Sequence, residues 1–544
     1  MKKFLQPLVR PVVGLALVGT VWCAARGGDL NVLPRAKLDP PSFVSPTLKT
    51  LQEVEPRVAV GSVASSTTAV HLITQPGSYY LTGNVEGVAG KMGVRIAASH
   101  VTLDLNGFGV FGVSGSTYGV RADSSIIGNT LNNVCVKNGV VRGWAQAGVW
   151  AFQVRNSRFE DLSLADNGPW GLRLGSGNSV LRSKASNNAG EGLDVSTDCS
   201  VLDCTAFANG RNGIFAGYSC IVDGCVSRSN VLSGTQTAGA GAVVDCTADS
   251  NGAGGILVGD ACAMVGDTVV DSGGAGIVTG EGSALTDSSS HRNAGIGIQA
   301  GSDPLDVGKG GCALGGCSAS ENNSVGIYAM SGCALSRCAA ASNQAQGIVV
   351  LRHSLASACT STASGGTGVS LGDNSAAIDC TASFNQGRGF SGGGSSAGEG
   401  GLFVRCLAAS SQSNGFGVGS GSLVVACDSK NNSFGIGSFG GSYTLDNHCR
   451  SNNAVGIDFQ GFSNRVEGNH VVASQHEGIR GHNSTDSLVV NNVAGICFTS
   501  RSEDNLIIRN SINEKGRYDV LEDNDVGTIR SHPDRSAPAD NFEC

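Results

Sequence analysis

Residues 209–230 read NGRNGIFAGYSCIVDGCVSRSN, and residues 230–251 read NVLSGTQTAGAGAVVDCTADSN. Set one above the other, they align asparagine on asparagine, Gly213 on Gly234 and Cys225 on Cys246, at a step of 21 residues. The glycine keeps this step through Gly171, Gly192, Gly213, Gly234, Gly255, Gly276 and Gly297, and again through Gly326, Gly347, Gly368 and Gly389. Self-similarity at a fixed short period marks a solenoid, and this period suits one coil of a parallel β-helix.

Other residue types keep the same beat. Four residues before the glycines stand Asn188, Asn209, Asn230, Asn251, Ser272, Asn293, Asn322, Asn343, Ser364 and Asn385, with Asn431 and Asn452 later. Asparagine tolerates turn geometry, and stacked amides about 4.8 Å apart can bond to one another up the column. After the glycines, segments such as GIFAG (213–217) and GILVG (255–259) alternate, so the first and third residues face the core. The middle residues form an outward column that includes Trp150, Arg173, Asp194, Phe215, Leu257, Gln299 and Tyr328.

Cysteine supplies another column, through Cys204, Cys225 and Cys246, then Cys317, Cys338, Cys359 and Cys380, then Cys406, Cys427 and Cys449. Cys199, Cys220, Cys262, Cys312 and Cys333 form a partial second one. In-register stacking holds the Cβ atoms about 4.8 Å apart, wider than the roughly 3.8 Å of a relaxed disulfide. An inward thiol stack therefore fits the spacing; some disulfides, or a metal site, are the other readings.

With 81 glycines, 15% charged residues and 5% aromatics, the composition suits tightly turned β coils and argues against long amphipathic helices. Lys2, Lys3 and Arg10, the apolar run 12–21 and the small residues Ala24 and Ala25 read as a secretory signal, too short to be a membrane anchor. Without residues 1–25 the formal charge is 33 basic against 44 acidic, or −11, which disfavours nucleic acid as a partner. The expected organisation is a signal (1–25), a linker and cap with a short helix behind Ser45 and Pro46 (26–70), a β-helix (71–510) and a C-terminal tail or cap (511–544). Two breaks in the beat, near 302–310 and 391–401, are expected to be insertions on one working face.

Two groups of side chains stand out. His448, His470, Glu467, Glu477 and Arg480, with Asp458, form the densest titratable set and are the candidate acid–base residues; an Asp458–Arg480 ion pair on a solvated face is the alternative. Trp150, Arg173, Phe215 and Tyr328 on the outward column are candidates for sugar binding, since flat apolar rings beside polar groups suit pyranose faces.

The segments ITQPGSYYLTGNV (73–85) and VTLDLNGFGVFG (101–112), the N-x3-G-I coils and the closing NFEC resemble secreted bacterial right-handed parallel β-helix proteins with pectate-lyase-like repeats. The resemblance covers about residues 46–544 and implies an all-β, right-handed parallel β-helix with carbohydrate as its theme. The catalytic sets of polygalacturonases and pectate lyases do not carry over. Asp303, Pro304, Leu305 and Asp306 are similar to the epimerase motif D-P-H-[DE], but Leu305 removes its proton-transfer histidine. The calcium-binding nonapeptide is missing, so no cofactor or metal is assigned. The sequence thus points to an exported protein of the envelope or extracellular space that binds polysaccharide or matrix, with a polysaccharide lyase, epimerase or hydrolase as the alternative.

Overall fold

A computed structural model of the chain describes residues 55–124, 129–301, 310–393, 400–499 and 502–512, with the short stretches 518–519, 524–526 and 530–531. The signal, the helix expected behind Ser45, the segment Asp303 to Asp306 and the insertions 302–309 and 394–399 lie outside the described residues. The described residues from Pro56 onward form an all-β parallel solenoid.

The coil that begins at Asn188 shows how sequence becomes structure. Strands Glu191–Val195, Ser200–Leu202 and Thr205–Phe207 form its three faces. Each lies in register on the strand 21 residues later, as in Leu193↔Ile214, Val201↔Val222 and Ala206↔Ser227. Leu193, Val195, Val201 and Ala206 are fully buried and fill the interior, while Asp194 points out. The segment around each cysteine supplies both remaining strands. Among the described residues the first face stacks 21 strands, about 100 Å of axis at roughly 4.8 Å per coil.

Three corners join the faces, each built from a residue in the left-handed region followed by an inward residue that bonds along the axis. In this coil the pairs are Asp198 (φ 57°) with Cys199, Asp203 (φ 53°) with Cys204, and Ala208 (φ 52°) with Asn209. Asp and Asn tolerate that conformation best, which explains their frequency there. The Oδ1 of Asn230 accepts the N–H of Asn209 at 3.0 Å, and its Nδ2 donates to the Ala206 carbonyl at 3.2 Å and to Asn251 Oδ1 at 3.0 Å. A cysteine makes the same two links: Cys225 Sγ accepts the N–H of Cys204 at 3.4 Å and donates to the Val201 carbonyl at 3.4 Å.

The seventeen described cysteines form no disulfide, and the two corner columns are buried. Burial pushes the Cys449 thiol well above its ordinary range.

Three register assignments differ from the sequence reading, each because one residue type recurs nearby. The spacing reads Gly417 as the glycine after Gly389, at a step of 28, but the column continues at Gly415, at a step of 26, since Ser391 pairs with Gly417 on the outward column. Asn432, not Asn431, joins the asparagine column; Asn431 is the left-handed residue before it. Cys449 leaves the cysteine column: Asn447 accepts the Cys427 N–H at 2.9 Å, while Cys449 sits mid-strand between Ser429 and Val471.

The two insertions leave from one corner. Both follow a first-face strand, Ile298–Ala300 and Phe390–Gly392 respectively, and both return before the second face. Beyond residue 510 the pairings Cys497↔Asp519 and Ile507↔Val526 continue the columns.

Candidate functional site

The outward column of the first face runs Arg95, Arg121, Trp150, Arg173, Asp194 and Phe215 on successive coils. The residue before each marker glycine also points outward, because the strand bends at the glycine: Tyr118, Trp170 and Glu191 stand three residues before Arg121, Arg173 and Asp194. Two-residue alternation counted from the glycine does not reveal this second row. Its signal was the recurrence of MGVR (92–95), YGVR (118–121) and WGLR (170–173), an arginine three residues after a bulky side chain.

Together the two rows make an aromatic and arginine surface. Arg121 lies over Tyr118 at 4.9 Å and over Trp150 at 4.6 Å, and Arg173 over Trp170 at 4.3 Å and Phe152 at 5.0 Å. Trp150 also lies 6.1 Å from Tyr118 and 6.3 Å from Phe152. Stacking on rings of this kind is worth about 0.5–2 kcal/mol per pair and fixes the guanidinium planes.

Acids stand behind the arginines. Asp123, 6% exposed, accepts Arg95 Nε at 2.8 Å and lies 3.0 Å from Arg121 Nε. Asp194 lies 3.4 Å from Arg173 Nε, and Glu191 3.1 Å from Arg211 Nε. The Nε of Arg121 and of Arg173 are near their acids but make no aligned hydrogen bond, since the rings set their orientation. Burial pushes the Asp194 carboxyl up to about 6; Arg173 opposes this and Glu191 adds to it. Arg95, Arg121 and Arg173 thus face two carboxylates, Asp123 and Asp194.

Of the predicted binding residues, the structure places Trp150 and Arg173 side by side and Phe215 two coils beyond Arg173. Tyr328 is five coils past Phe215, roughly 24 Å along the axis, and packs against the core.

The predicted acid–base residues divide among the three faces. His448 and His470 stack on the third face, ring centroids 5.1 Å apart and 7° from parallel. Glu467 ends a second-face strand, paired with Arg465 at 2.7 Å. Arg480 is on the first face, held by Asp458 at 2.9 and 3.0 Å with Glu477 at 3.9 Å. An open cleft of about 420 Å³ lies at the insertion corner, lined by Glu281, His353 and turn glycines.

One family profile matches part of this solenoid. Residues 111–244 match the family profile described as "Right handed beta helix region". No curated protein matches the sequence. Among solved structures, the Dettilon tailspike protein is similar at 13% identity over 48% of this chain, with a TM-score of 0.35. This chain spans 59% of that protein's length. The A-module of the Azotobacter vinelandii mannuronan C-5 epimerase AlgE6 is similar at 12% identity, over 88% of this chain and 100% of that one, with a TM-score of 0.18. The pectate lyase Pel9A is similar at 16%, over 66% and 72%, with a TM-score of 0.17.

Proposed function

We propose that this chain, a right-handed parallel β-helix, is an exported protein of the envelope or extracellular space that holds an acidic glycan along the first face of its N-terminal coils without transforming it. The observation that carries the reading is the alternation of Trp150, Trp170 and Tyr118 with Arg121 and Arg173 on adjacent coils. Rings give a stacking surface for pyranose faces, and an arginine on each of several coils meets carboxylates repeated along a polymer. The three arginines exceed their two acids, so this stripe is locally positive on a chain of net charge −8. The division of the histidines, Glu467 and Arg480 among three faces favours binding over catalysis, which needs acid and base on one substrate.

The test is calorimetric titration of the purified chain with polygalacturonate, alginate and a neutral glucan. Salt-sensitive binding of the polyuronates is expected, weakened about tenfold in Trp150→Ala and Arg121→Ala. Equal binding of the neutral glucan, or unchanged affinity in both variants, overturns the site. Release of reducing ends or of an unsaturated product replaces the reading with the enzymatic one.

A further inference from the structure

The cysteine columns remain unexplained by glycan binding. Six successive coils put Cys317, Cys338, Cys359, Cys380, Cys406 and Cys427 at the corner between the second and third faces, and three put Cys204, Cys225 and Cys246 there. At the corner after the first face, Cys199 lies under Cys220 and Cys312 under Cys333. All are at most 3% exposed, and none is in a disulfide. Asparagine or serine occupies the same positions on other coils, as Asn447 and Ser288 do, so packing does not require a thiol there.

The spacing has a chemical meaning. Strand pairing sets an axial repeat of about 4.8 Å. The sulfurs of Cys225, Cys380 and Cys427 each accept the N–H of the preceding coil in the same geometry, so successive sulfurs recur at about that repeat. A disulfide does not suit that distance, so oxidation does not readily close the column. Two metal–thiolate bonds of about 2.3 Å placed end to end span about 4.6 Å. A cation that takes two collinear sulfur ligands therefore fits between neighbouring coils without moving the backbone. The N–H groups that reach the sulfurs, at 3.3–3.4 Å, come from the backbone of the adjacent coil and remain in place. Among the described residues no three metal-binding side chains converge on a point, so a four-coordinate cation has no equivalent place.

We propose that the cysteine columns bind soft, two-coordinate d10 cations, with cuprous ion as the type, each between thiolates on adjacent coils. Binding joins one cation to two thiols as S–M–S and releases two protons, with no change of oxidation state. A sulfur shared by two collinear bonds would have to be linear, so the cations occupy separate pairs. The run of six holds three, the run of three holds one, and the two pairs at the other corner hold one each, six in all.

The experiment is anaerobic titration of the reduced full-length chain with Cu(I) against a chromophoric Cu(I) chelator, with proton release measured in the same samples. Six cations and two protons per cation are expected, and X-ray absorption should show two sulfur neighbours and no lighter ligand. Two triple variants remove equal numbers of thiols. Cys338→Asn, Cys380→Asn and Cys427→Asn leave no adjacent pair in the run of six and should lose three cations; Cys317→Asn, Cys338→Asn and Cys359→Asn leave three successive thiols, room for one cation, and should lose two. Asparagine is a native occupant of this corner, and circular dichroism checks that each variant folds. Retention of all metal by the chelator, a shell of three or four ligands, equal losses in both variants, or saturation by the partly exposed Cys135 and Cys497 alone would each overturn the proposal. If a variant fails to fold, the proton count and the sulfur shell of the native chain decide.

Discussion

Asp267 occupies a corner position that other coils give to Cys, Ser or Asn. Its Oδ1 accepts the N–H of Cys246 at 2.9 Å, and its Oδ2 is buried without a hydrogen-bond partner. Burial first, and then the negative charge of Asp245, push its carboxyl up to about 7, against the pull of the Cys246 N–H. An unfolded aspartate titrates near 3.9. Between those values the folded chain keeps a proton that the unfolded chain has lost, so the contribution to stability is full below about pH 4 and declines until about pH 7. The span corresponds to on the order of 4 kcal/mol. Asp267→Asn carries no such charge and offers the donor that a corner residue gives to the carbonyl 24 residues back. It should melt higher than the native chain above pH 7, with the gap closing toward pH 4; a constant gap across thermal scans would refute this account. Asp194 gives a parallel prediction for binding. Protonation below about pH 6 leaves the Arg173 charge unopposed by its acid, so polyuronate affinity should rise as pH falls through 6. Asp194→Asn should bind at all pH values as the native chain does at pH 5, measured by the same calorimetry.

At the scale of one element, the asparagine column is less continuous than its spacing implies. Ser272, Ser364 and Ser411 each donate their N–H to the next asparagine, at 2.9, 3.1 and 2.8 Å, but their hydroxyls are buried and reach no partner. Serine is too short for this corner, although it suffices at the others, where Ser283 accepts the Cys262 N–H at 3.1 Å. Ser411→Asn should join Asn385 to Asn432 and raise stability by about 1 kcal/mol, because Ala408 beside it leaves room. Ser272→Asn should not, because Val269 fills the space over Gly255 that an asparagine amide takes on other coils. Equal changes in melting temperature for the two would contradict the packing argument. The period, the three columns and the inward or outward sense of the three residues after each glycine were legible in the sequence, since each depends on spacing alone. The exchanges of Asn431 for Asn432 and of Cys449 for Asn447 were not, because coils of 20, 22 and 23 residues enter after Cys427 and identical residues compete for one position. The aromatic row at Tyr118 and Trp170 was hidden for another reason. It depends on a strand bend at glycine, which puts residues three apart on one side and breaks the two-residue alternation.

Across the whole solenoid, contacts join each coil only to its neighbours, so stability is close to a sum over coils and their interfaces. The insertions at 302–309 and 394–399 show where extra chain is accommodated, at the corner after the first face. An eight-residue Gly/Ser insertion after Glu281, at that same corner, should leave the melting temperature within a few degrees. The same insertion between Asp223 and Gly224 should lower it by much more, because that corner turns in two residues with Cys225 locked behind it. Similar losses at both sites would show that the corners are equivalent. The uniform register has a further consequence at the level of the gene. Excising or duplicating one complete coil, such as 231–251, joins an asparagine position to its own counterpart and leaves each surviving strand a partner of the right kind. Unequal recombination between repeats would therefore change the reach of this protein one coil at a time while keeping it foldable, making the number of coils a quantity that selection can adjust.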